Sequence, residues 1–434
     1  LDIITDYPVR RGEAERYDLC YTNLENFYHI IYLNRNEVPD LNTYFFSHRN
    51  MPKLYGLMQG AGASGVAFDP NALIVSGITQ VQRAPLGLTG QGCVIVFIDT
   101  GIDYTAPVFR RQDGSSRILA IWDQTVQTGT PPDGFLYGSE YTGAEIDRAL
   151  QSEAPAYQEN DIMLAVKYGD SFADTFRRPV VFCLGLGTSY GDHSGTSALS
   201  RYLDVISVRR SRAVVVCGGN EGNAAHHYQG NLSNGGSGGS RDAVEVRVGE
   251  NADGFVMELW GNAPDVVTVS VRSPGGETIP AIRLGIQDII TYGFIYERTR
   301  ITIAGTLVEP ASGEELVTLR VQAPTPGIWT FTVEAAGEIH NGQFHLWLPI
   351  TQFLNAESYF LEPSPYITLT EPAMASDVIS VSTYDASNNS FYLESGRGFA
   401  RTGEITPDFA APGVSISVLS GRQTGSSLAA AITA

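Results

Sequence analysis

Cys93-Val94-Ile95-Val96-Phe97-Ile98-Asp99-Thr100-Gly101-Ile102-Asp103 decides the fold. Its apolar run does not alternate with polar residues, so it reads as a strand covered on both faces, as in a parallel sheet. The aspartate after it stands at the carboxyl end of that strand, where open α/β sheets place their sites. Taken alone, Asp99 reads equally as a turn or helix-cap residue. Two further stretches, Val180–Leu186 and Ala213–Cys217, share the same texture. Ile162–Phe176 has helical spacing, with apolar Ile162, Ala165, Val166, Tyr168 and Phe172 on one side. Strands and helices in alternation predict an α/β domain, a parallel sheet with helices on both faces.

Moving outward, the texture changes over 240–350. Val244, Val246 and Val248, then Phe255, Met257 and Leu259, then Trp329, Phe331 and Val333 recur with period two between Gly and Pro turns. That pattern predicts an inserted antiparallel β-sandwich. Trp260, Trp329 and Trp347 read as filling its core. After about 365 the α/β texture returns, with strands at Val378–Val381 and Ser415–Leu419 and a helix opening at Thr424. Before 73, one strand is expected at Phe27–Leu33, and a Gly/Ala-rich linker occupies 60–72. The expected organisation is an N-terminal segment at 1–72 that could be a propeptide remnant. A first α/β part at 73–239, the β insert at 240–350 and a second α/β part at 351–434 follow.

At 434 residues and a net charge of −19, with 28 basic against 47 acidic residues, the chain is a poor partner for nucleic acid or anionic membrane. No apolar run reaches the roughly 20 residues of a membrane span. Cys93, Cys183 and Cys217 sit in apolar runs and read as small buried hydrophobes. Their spacing fits neither a zinc site nor a disulfide framework.

Three further stretches carry candidate chemistry. Asn220 follows Val214-Val215-Val216-Cys217-Gly218-Gly219. A neutral amide there can donate to a developing oxyanion, although an Asn among glycines also suits a left-handed turn. Ser427 follows Gly425-Ser426 and opens Leu428-Ala429-Ala430-Ala431, whose small residues let a helix start close against a sheet. A hydroxyl in that first turn feels the positive helix end and becomes a nucleophile only beside a base; alone it reads equally as a cap. Gly185, Leu186 and Gly187 form a strand open enough for another backbone to pair along it, a mode of peptide binding.

The order of these stretches, with Pro407–Gly413 just before the serine, resembles the subtilisin-like serine peptidases. Ile121-Trp122-Asp123-Gln124, Tyr137–Thr142, Trp347-Leu348-Pro349 and Ser395–Phe399 are similar to the clostridial Csp branch of that family, and the likeness runs from about residue 50. The resemblance implies a serine endopeptidase of protein or peptide substrates that needs no metal or organic cofactor. In that reading Asp99 orients the base, Asn220 helps bind the oxyanion and Ser427 attacks. A jelly-roll insert in the catalytic domain and a bacterial, secreted or spore-associated setting are also implied. Ser426 departs from the pattern, which usually has threonine there.

The family's base opens a helix between the Asp strand and the Gly-rich strand. Seven histidines are present, and only His193 falls between Asp99 and Asn220. It follows the Gly-rich strand rather than preceding it, so it reads as a loop histidine. Only Gln151–Asn160 separates Leu150 from Asp161, too little for the further helix and strand that such a sheet requires. That shortage, with the chain ending soon after Ser427, predicts that a segment bearing the catalytic histidine is missing from this sequence near 151–161. The alternative is a pseudoprotease that keeps the fold as a binding scaffold.

Overall fold

The computed structural model describes residues 2–6, 20–24, 28–32, 52–57, 63–64, 70–99, 102, 109, 111, 116–127, 129–142, 157–234, 240–283, 288–418 and 421–434. The predicted gap near 151–161 falls partly outside them, at 151–156.

One sheet carries the α/β part. Ser390–Phe391, Ile379–Asp385, Arg212–Cys217, Val180–Leu184 and Val94–Ile98 lie side by side in that order, with Phe409–Pro412 added beside Ile379–Asp385. The central pairings are parallel, from Val180 opposite Val94 and Arg212 to Leu184 opposite Ile98 and Val216. Successive side chains of a strand face opposite ways. Phe182, Leu184, Val214 and Val216 therefore meet the helices Glu159–Phe176 and Ala198–Ser207 on one face. Cys183, Val215, Cys217 and Val381 meet Ala429 and Ala430 of the helix Ser426–Thr433 on the other.

Local chemistry starts these helices. The Asp161 carboxylate accepts from Gln158 N at 3.3 Å, and Ser197 Oγ accepts from Ser200 N at 3.1 Å, each satisfying an amide that the helix leaves open. Gly169 lets Glu159–Phe176 approach the sheet, because a Cβ there would stand 2.7 Å from Val96 and 2.8 Å from Phe182. The N-terminal strands Asp2–Thr5, Tyr28–Tyr32 and Cys20–Leu24 form a small antiparallel sheet. Its Ile4, Leu24 and Ile30 share the core of that helix.

Val94–Ile98 ends the sheet order among the described strands. Its Ile95 is 48% and Phe97 52% exposed. Cys93 is exposed too, contrary to the burial its apolar run predicts, because it enters this edge strand, whereas Cys183 and Cys217 lie in central strands and are buried.

Residues from His227 to Phe360 form two antiparallel sheets. One runs His227–Asn231, Gln343–Trp347, Gly254–Gly261, Leu316–Gln322, Arg300–Thr306, Asp288–Gly293; the other runs Thr278–Ile282, Val267–Arg272, Gly327–Ala335, Arg241–Val248, Ser358–Phe360. Val244, Val246, Met257, Leu259, Leu319, Trp329, Phe331 and Phe344 pack into one core cluster between them. Of the three tryptophans expected there, Trp329 joins this core. Trp347 stacks on His193 at the boundary with the α/β part, and Trp260 donates to Glu258. No described helix is long and apolar enough to cross a membrane.

Candidate active site

The parallel ladder stops at Ile98, Leu184 and Val216–Cys217, so the residues that follow leave the sheet at one edge. Asp99, Gly185 and Asn220 are among them. Gly185 lies between the aspartate and the serine: a Cβ built on it would stand 3.3 Å from Asp99 Oδ2 and 3.1 Å from Ser427 Cβ. The sequence separates Asp99 and Ser427 by more than three hundred positions, and the fold sets both against one glycine. Ser427 is the second residue of its helix. The helix start is fixed from two sides, by Asn220 Oδ1 accepting from Ser426 N at 3.0 Å and by Gly413 O accepting from Gly425 N at 2.9 Å. With the oxygen of the Asn220 amide so engaged, its NH2 end is the one a ligand carbonyl would meet.

Leu186 and Gly187 do pair with another backbone. Leu54–Leu57 lies antiparallel to them, Leu57 opposite Leu186 and Gly56 opposite Gly187. The far edge of Leu54–Leu57 pairs with Tyr157–Gln158, so this segment is the middle strand of three. Tyr55 is fully buried. Gly56 passes a wall formed by Ile350 and Gln352, where a Cβ would stand 2.8 and 2.7 Å from their side chains. Gly187 is equally constrained, since a Cβ there would lie 2.4 Å from Thr370 Oγ1. Thr370 and the segment Leu54–Leu57 were not legible as site residues. The nearest signal was the alternating glycines, which announced a partner strand without saying which one.

The described histidines are placed elsewhere. His193 is buried, its Nε2 is 3.1 Å from Ser189 O, and its ring stacks on Trp347 at 4.0 Å. His227 stacks on the same Trp347 at 4.7 Å, with its Nε2 3.0 Å from His345 Nδ1. Burial pushes His193 down to about 4, His227 to about 3 and His345 to about 2, so these rings are neutral. His226 bonds Glu221 at 2.7 Å, His340 lies 3.4 Å from Asp265, and His29 packs edge-on against Tyr21. His48 lies outside the described residues. Burial pushes the Cys183 and Cys217 thiols up to about 12, with the Asp99 charge adding to it, so neither is a thiolate nucleophile. Among the described residues no group of His, Cys, Asp and Glu is arranged to hold a metal ion.

The central strands are parallel, helices pack on both faces of the sheet, and the helix bearing Ser427 starts at its carboxyl edge. Among solved structures, the Clostridium perfringens CspB protease is similar, at 25% sequence identity and a TM-score of 0.71, over 84% of this chain and 85% of that one. The likeness to the Csp branch drawn from sequence motifs therefore extends to the fold. No family model and no curated protein matches the chain.

Proposed function

We propose that this chain is a subtilisin-like serine endopeptidase, with an α/β catalytic domain in two parts, read from the sequence as 73–239 and 351–434. The two antiparallel sheets are then its inserted jelly-roll-like sandwich, which reaches from His227 to Phe360 and so past the 240–350 of the sequence reading at both ends, and 1–72 is a propeptide-like segment. The observation that carries this reading is Gly185: a Cβ on it would meet both Asp99 and Ser427, and it leads into a strand that pairs with an extended segment. Ser427 Oγ would attack the scissile carbonyl while its proton passes to a base. The Asn220 NH2 would steady the oxyanion, the C–N bond would break as the base returns the proton to the amine, and water would release the acyl group.

The base is a histidine supplied by a segment between Asp99 and Gly185 that this sequence lacks. Ile95 and Phe97 support that view. They pair with Val181 and Cys183, so they lie on the sheet face that the serine helix covers further along. An amphipathic helix covering them, running antiparallel to the strands as α/β crossovers do, would begin beside Asp99. A fluorophosphonate should label the chain at Ser427 once that segment is present, and Ser427→Ala should abolish the label. Folded full-length protein that stays unlabelled would favour the second reading, a peptide-binding pseudoprotease. The specific observation behind that alternative is that all six described histidines are engaged away from the site.

A further inference from the structure

Lys53, just before Leu54–Leu57, enters a pocket of carboxylates. Its backbone is fixed at the start of helix Glu159–Phe176: Lys53 N donates to Glu159 Oε2 at 3.2 Å and Glu159 N donates to Lys53 O at 2.8 Å. Its ammonium lies against Gly191, where a Cβ would stand 3.0 Å from Nζ and 3.5 Å from Glu371 Oε1. The charges of Glu159, Glu371, Glu258 and Asp192 all act on it. They converge from a helix start, the bridge beside Thr188, the strand Gly254–Gly261 and the loop after Leu186–Gly187.

The pocket is built rather than incidental. Glu159 Oε1 accepts from Leu199 N at 3.0 Å, and Glu258 Oε2 from Gly191 N at 2.9 Å and Trp260 Nε1 at 3.0 Å. Asp192 Oδ2 accepts from Thr196 Oγ1 at 2.9 Å, and Glu371 Oε2 from Ser200 Oγ at 2.6 Å. Glu371 is fully buried, and its Oε1, the oxygen on the Lys53 side, has no hydrogen-bond partner. Burial raises the Glu371 carboxyl to about 7, with the Lys53 charge pulling it down. Arg401 is another cation near this cluster among the described residues; its guanidinium donates to the backbone Asp192 O at 2.8 Å and to Asn262 Oδ1 at 2.7 Å. Four buried or half-buried carboxylates thus face one lysine.

We propose that this pocket is a specificity subsite that takes the basic side chain of an extended peptide lying on Leu186–Gly187. The preferred peptide has an aromatic residue two positions after the base and a glycine next, as Lys53, Tyr55 and Gly56 have. The inference rests on reading that strand as the substrate groove. A neutral side chain in the pocket would leave the carboxylates buried without a counter-charge, which is a strong basis for discrimination. Glu258 makes the two-sheet body part of the recognition.

Hydrogen exchange on the full chain separates the two ideas. In the wild type, the amides of Leu54–Leu57 are expected to be protected; exchange at the free-chain rate would overturn the groove itself. With protection present, Lys53→Met should speed their exchange by about tenfold or more and Lys53→Arg should largely restore it. Unchanged exchange in Lys53→Met would overturn the subsite and leave the groove standing. The full-length Lys53→Met chain should then bind a labelled acetyl-Lys-Leu-Tyr-Gly-Leu-amide about tenfold tighter than its norleucine counterpart, and adding Glu258→Gln should shrink that preference. Equal binding, or binding of neither peptide, would overturn recognition of a separate basic peptide.

Discussion

The two-sheet body and the parallel sheet solve the same problem with different completeness. In the body, alternate residues such as Val244, Val246, Trp329, Phe331 and Val333 are fully buried, and their intervening neighbours face outward. In the parallel sheet the strands Val180–Leu184 and Arg212–Cys217 are covered on both faces by helices. Val94–Ile98 carries the same unalternated apolar sequence, yet Ile95 and Phe97 stand half open. A period-two strand is finished once one face is covered. An unalternated strand needs two covers, and among the described residues the second cover of this one is incomplete.

The largest effect that would test this contrast is Trp329→Ala, which removes a fully buried ring from the body and should cost about 3–5 kcal/mol in chemical denaturation. A loss below about 1 kcal/mol would mean that the body is not packed as described. Gly185→Ala comes next. Its methyl would press on Ser427 and Asp99, costing about 1–3 kcal/mol and displacing the serine, so any fluorophosphonate labelling should fall with it.

A pH experiment probes the body alone. Glu315 is buried, its carboxyl is pushed up to about 7 by burial, and the 2.9 Å bond from Val267 N opposes that shift. An acid whose folded pKa is raised binds its proton more tightly when folded. Its contribution is full below the unfolded value near 4.5 and is lost as pH rises through 7. Between pH 5 and pH 8 the wild-type Tm should therefore fall by about 2–4 °C more than that of Glu315→Gln. Equal slopes would contradict a buried, protonated Glu315.

The smallest effect belongs to the open strand. Phe97→Ser should change stability by no more than about 0.5 kcal/mol, far less than the same change at buried Phe182.

Much of the candidate site is legible in the sequence. Asp99, Asn220 and Ser427 each follow a recognisable strand end or helix start, and the alternating glycines at 185 and 187 announced a pairing strand. Cys93 was misread because a run of apolar residues specifies a covered strand and not its place in the sheet. His193 was rightly read as a loop residue, but its stack on Trp347 had no local signal. By itself the sequence determined which residues form strands and helices and which faces are apolar, because those depend on periods of two and 3.6 within one stretch. Only the tertiary structure decided that Leu54–Leu57 pairs along Leu186–Gly187 and that Lys53 meets Glu159, Asp192, Glu258 and Glu371. Lys53 and Glu159 are 106 positions apart, and local pattern states that a face must be covered or a charge matched without naming the distant partner that does it.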